Sequence, residues 1–114
     1  MKNHIKVNGK LLQTNKSFSQ LKNSQKEWIA GELYKLYHNE MKKRRTTRKL
    51  KPDLRDFVIS SLYDKIENRG IWIPYREVKK YVFSKTTKVV NSFKKQYPEL
   101  SNEIEAEHTM KQKR

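Results

Sequence analysis

The 114-residue chain contains no cysteine, which excludes disulfides, thiol chemistry and every cysteine-based zinc site. Acidic residues are scarce, 12 Asp and Glu against 27 Lys and Arg, leaving a formal net charge of +15. Apolar residues reach 34%, short of the ~45–50% of ordinary soluble domains counted with glycine, so one modest core is all the chain can bury. No hydrophobic run approaches the ~18–20 residues of a membrane span. The opening "MKNHIKVNGK" has no signal-peptide hydrophobic region, and a cytoplasmic location is expected.

Catalytic groupings are missing as well. There is no glycine-rich phosphate loop, no histidine paired with a nucleophile and no carboxylate cluster of the kind nuclease metals require. His4, His38 and His108 stand singly and are read as surface or local hydrogen-bonding residues, with no metal or other cofactor expected. Most of the six tyrosines fall on apolar helical stripes, which gives them core or boundary roles. An enzyme is not expected.

What the chain does hold is positive charge, and a field of this sign attracts polyanions, nucleic acid above all. A membrane surface is the weaker partner, because no basic face is coupled to a sustained greasy one. The spacing of apolar residues then divides the chain into an arm over 1–23, a helical domain over 24–98 with a basic loop at 42–51, and a charged tail or short helix over 99–114. In the arm, Asn8-Gly9 between short apolar flanks predicts a hairpin, since both residues tolerate positive φ. Phe18 and Leu21 make a short turn over the start of the first helix.

Ser24 and Glu27 have the spacing of a capping box, and Trp28, Ile29, Leu33, Leu36 and Tyr37 continue an amphipathic helix to about residue 41. Its broad apolar arc makes it a candidate homodimer seam. "KKRRTTRKLK", residues 42–51, carries seven bases in ten and no acid; it reads as a solvated loop or as a phosphate-contacting arm with no part in the core. Pro52 and Asp53 suit the start of a second helix whose stripe is Leu54, Phe57, Val58, Leu62 and Ile66, and Gly70 can end it in the left-handed conformation. Asp56, Asp64 and Glu67 form an acidic face on this helix, turned from any nucleic acid. The run Ile71-Trp72-Ile73 predicts a short strand with its isoleucines on one face and Trp72 on the other. Beyond Pro74, a helix over about 75–83 buries Val78, Tyr81 and Val82. A turn at "SKTT" follows, and Thr86 caps a further helix over about 87–97 that buries Val89, Val90, Phe93 and Tyr97.

The order helix, short strand, helix, turn, helix resembles the winged helix-turn-helix over about half the chain. The resemblance implies a mostly α fold with a small β component, in which the second helix of the pair enters the major groove, and it suggests that the hairpin at the other end supplies the sheet partner of 71–73. Helical geometry places Thr87, Lys88, Asn91 and Lys95 opposite the buried arc of residues 87–97, as candidate base readers. Lys85, Arg76, Lys79 and Lys80 are candidate phosphate contacts beside them, and Lys42, Lys43, Arg44, Arg45, Arg48 and Lys49 would form the basic arm.

The expected function is therefore a small sequence-recognising protein for double-stranded DNA, an accessory or regulatory factor. In size, charge and element order it is similar to proteins that mark a plasmid transfer origin for a relaxase, or to a small phage or plasmid transcriptional regulator. RNA or ribosome binding is the main rival, with Trp72 or Tyr75 stacking on unpaired bases. A protein-interaction module is the third reading.

Overall fold

The computed structural model describes the backbone of residues 4–7 and 10–13 and the chain from 17 to 112. A hairpin of β1 (His4–Val7) and β2 (Lys10–Gln13) precedes a single 3-10 turn, Phe18–Gln20, and four helices. These are α1 (Asn23–Arg44), α2 (Pro52–Asn68), α3 (Tyr75–Gln96) and α4 (Pro98–Gln112). The hairpin strands pair antiparallel, Val7 with Lys10 and His4 with Gln13, while the Asn8-Gly9 pair expected to turn between them lies outside the described residues. α1 packs on α2 and α3, α2 on α3, and α4 on α3. Among the described residues no helix is long and apolar enough to cross a membrane.

The core forms where the four helices meet. Ile29, Leu33 and Tyr37 of α1, Val58, Ile59, Leu62 and Ile66 of α2, Val78, Val82, Val89 and Phe93 of α3, and Ile104 of α4 are fully buried. Each such side chain contributes about 1.5–3 kcal/mol relative to exposure, so the interlocking stripes hold the body together. On α2 the stripe is rotated from the expected one. Ile59 is inside, while Phe57 is 56% exposed, because a core centred on 58, 59, 62 and 66 leaves residue 57 on the far side of the helix.

Helix ends follow capping chemistry, with two departures from the sequence reading. α1 begins two residues before the Ser24 start: Lys22 is the N-cap, and its N–H donates to Gln25 Oε1 at 3.1 Å. At the other end the chain leaves α1 through Arg45 at φ 48°, ψ 62°, with Arg45 N–H bonded to the Lys42 carbonyl and Thr46 N–H to that of Met41. This is the Schellman pattern, with arginine where glycine is usual. α2 ends the same way: Gly70 sits at φ 82°, as expected, its N–H bonds the Glu67 carbonyl, and Ile71 N–H bonds that of Ile66.

The winged helix-turn-helix expectation fails on two observations. Residues 71–73 are not a strand and pair with neither hairpin strand. The Ile71 N–H is engaged in the α2 cap, and Pro74 offers no donor, so the segment joins α2 to α3 without regular secondary structure. Its alternation survives, with Ile71 and Ile73 buried and Trp72 half-buried. The second observation is that no turn divides α3, which runs unbroken from Tyr75 to Gln96.

The "SKTT" hydroxyls explain this continuity. Ser84 Oγ donates back to the Tyr81 carbonyl at 2.7 Å, and Thr86 Oγ1 to the Val82 carbonyl at 2.8 Å. Ser and Thr can either cap a new helix or back-bond within an existing one; with no glycine or proline between 75 and 97, they do the latter. Among the described residues the fold is a helical body, with no β wing on the four helices and no helix-turn-helix pair.

Candidate nucleic-acid interface

α3 is one helix of 22 residues, about 33 Å long, and its exposed side spans about half the helix circumference, with Lys79 and Lys88 at opposite edges. Residues 76–95 carry seven bases and one acid. Arg76, Lys79, Lys80, Thr87, Lys88, Asn91 and Lys95 are all exposed, opposite Val78, Val82, Val89 and Phe93. The candidate base readers and their phosphate-contacting neighbours thus share one surface, and only Lys85 among them is half-buried, its ammonium 5.9 Å from the Tyr81 ring. Glu77, the lone acid, turns back to accept the Phe18 N–H at 3.1 Å.

Among the described residues no ion pair forms at Arg76, Lys79, Lys80, Lys88 or Lys95. Lys94, absent from the expected set, does pair, 3.7 Å from Glu105. Beside the face lies a cleft of about 640 Å³ that reaches the start of α1, where Lys26, Lys80 and Lys85 stand with Glu27 and Glu77.

The basic run at 42–49 is arranged otherwise. Lys42 to Arg44 are the last turn of α1, where positive charge suits the helix dipole. Lys43 and Arg44 lie 3.5 and 3.6 Å from the carboxylate of Glu40, a buried acid. The Lys42 ammonium sits 4.0 Å above the Tyr97 ring. Arg45 makes a bidentate pair with Glu107, at 3.0 Å from Nε and 2.6 Å from Nη2, and lies 3.8 Å from Glu103. The His108 Nε2–H adds a bond to the Arg45 carbonyl at 3.1 Å, so α4 clamps the strained corner of the chain.

Two further residues of this run contradict the purely solvated loop: Leu50 is buried and gives its N–H to Tyr37 Oη at 2.9 Å, and Thr47 is buried and donates to Glu105. Of the proposed arm, Lys42, Arg48 and Lys49 are exposed and without an ion pair among the described residues, and of these Lys42 lies over the Tyr97 ring.

Comparison with protein-family models, with curated proteins and with solved structures finds no match. Chemistry alone must define the site.

His38 fixes α3 to α1 behind this surface. The ring is 4% exposed, packs edge-on against Tyr34, Phe93 and Tyr97, and its Nε2–H donates to the Val89 carbonyl at 2.8 Å. Burial holds its pKa below the ordinary histidine value, with Lys42 acting in the same sense and the Val89 bond opposing both. It is a neutral strut. At Glu32, burial works against the charge, but Lys35 and Lys65 outweigh it and hold the carboxyl below its usual range.

The apolar arc of α1, a candidate dimer seam by sequence, is largely used within the chain. Ile29, Leu33 and Tyr37 are fully buried, and Trp28 lies under the Arg69 guanidinium at 4.6 Å. Tyr75, a candidate for RNA stacking, is half-buried edge-on against Tyr63, and Trp72 is half-buried too. Sequence reasoning gave no role to Phe83, the last residue of the helix it expected to end before "SKTT". In a continuous helix the 100° step puts Phe83 on the side of Arg76, Lys80 and Thr87, and that calculation needed only the absence of a helix breaker.

Proposed function

We propose that the chain binds double-stranded DNA through the exposed face of α3, acting as a small accessory or regulatory factor. The observation that carries this reading is the set of exposed cations on α3, Arg76, Lys79, Lys80, Lys88 and Lys95, with no carboxylate paired to any of them among the described residues. An α-helix fits the ~12 Å major groove, and the length of α3 matches about one turn of duplex. Within the face, Asn91 has the donor–acceptor pair that matches an adenine edge, and Lys88 can reach guanine or phosphate. Arg76, Lys79, Lys80 and Lys95 are the positioning contacts. With about five phosphates neutralised, affinity falls about 10²–10³-fold between ~50 and ~200 mM salt.

The test is selection from a random duplex pool with the wild type and Asn91→Ala, with affinities read at several salt concentrations. Enrichment of a sequence that Asn91→Ala relaxes supports the reading. A flat salt response, or preference for structured RNA over duplex at matched salt, defeats it.

A further inference from the structure

We propose that Phe83 is a base-stacking residue, which takes an unpaired nucleobase of DNA lying on the α3 face; the proposal rests on the DNA-binding reading above. The phenyl ring is 47% exposed, near the middle of the basic surface. It has no role in the core, which is complete in α3 with Val78, Tyr81, Val82, Thr86, Val89, Val90 and Phe93. Its surroundings are cationic. The Arg55 guanidinium of α2 stands 4.2 Å from the ring centroid and the Lys79 ammonium 5.9 Å from it. Lys80 and Thr87, three residues before and four after, are its neighbours on the helix surface.

Phe57 is the useful contrast, since it is still more exposed but has no cation over its ring among the described residues. A large apolar group held at the surface among positive charges selects an anionic partner with a flat apolar face. A nucleotide in DNA has both: an aromatic base for the ring and a phosphate on each side for Arg55, Lys79 and Lys80. An intact duplex hides its base faces in the stack, whereas a bulged or unpaired base offers one. The ring therefore discriminates between DNA structures, while the lysines bind them all.

The proposal is tested by anisotropy titration of one labelled duplex, perfect or with a single central unpaired adenine, against wild type, Phe83→Leu and Phe83→Trp. Wild type and Phe83→Trp should favour the bulged duplex by about tenfold, the scale of one base–aromatic stack. Phe83→Leu keeps bulk without a π-face and should bind both duplexes with equal affinity and an unchanged salt slope; circular dichroism checks that it remains folded. The stacking role is overturned if wild type shows no preference, or if Phe83→Leu retains it, even though both duplexes are bound. No binding to either DNA overturns the duplex-binding reading and the stacking role with it.

Discussion

The exposed face of α3 and the end of α1 are similarly basic in sequence and differ in where their counter-charges lie. Along α3, Arg76, Lys79, Lys80, Lys88 and Lys95 have no acid paired to them among the described residues, and the single local acid, Glu77, is tied to the Phe18 amide. At the end of α1, Lys43 and Arg44 meet Glu40, Lys42 lies over Tyr97, and Arg45 is gripped by Glu107. Charge density on a chain therefore does not measure charge available to a partner. One region offers its cations to solvent; the other engages Lys43 and Arg44 within α1, Lys42 on the Tyr97 ring and Arg45 on α4.

Four changes would break or sharpen that contrast. The largest effect is expected from Lys80→Glu, Lys88→Glu and Lys95→Glu together, which should lower duplex affinity by about 10³-fold or more and flatten the salt dependence, measured by anisotropy. Folding should be unaffected, since all three side chains are exposed. Next, Ile104→Ala opens a cavity under α4 and should cost about 2–5 kcal/mol in urea unfolding. DNA affinity of the folded protein should not fall, because α4 carries acids rather than contacts.

Third is pH. His38 has a lower pKa folded than unfolded, so below its ordinary value the unfolded chain takes up a proton that the native strut refuses. Stability is thus fully present above about pH 6.5 and falls as pH drops through the window between the two pKa values, by at most ~1.4 kcal/mol per pH unit for one group. Subtracting the pH profile of His38→Gln from that of the wild type isolates this slope, and identical profiles would remove the histidine from the account. The smallest effect on binding is expected for Arg44→Ala with Arg45→Ala: duplex affinity should change less than about threefold, since these cations are already engaged. Thermal stability should drop, because Glu40 and Glu107 lose partners.

Much of the helical body was legible in the sequence. Spacings of three and four residues marked α1 and α2, Gly70 marked the end of α2, and the opposed arcs of 87–97 separated Val89, Val90 and Phe93 from Lys88, Asn91 and Lys95. What was not legible depended on distant partners. "IWI" is equally good as a strand or as an irregular connection, and the choice turns on whether another strand lies alongside. "SKTT" is equally good as a cap or as mid-helix hydroxyls, and here the carbonyls of Tyr81 and Val82 take those hydrogen bonds. Lys42 and Arg45 looked free because their partners Tyr97, Glu103 and Glu107 come more than fifty residues later, on elements the local pattern could not place beside them, whereas Glu40, the partner of Lys43 and Arg44, lies within one helical turn.

The most direct test of the contrast is a lysine-acylation footprint of the protein alone and bound to a duplex, read residue by residue by mass spectrometry. If α3 is the contact surface, Lys79, Lys80, Lys88 and Lys95 become protected, while Lys35, Lys43 and Lys65 react as before. Protection of Lys42, Lys43 and Lys49 with the α3 lysines unchanged would contradict the account and return the interface to the end of α1.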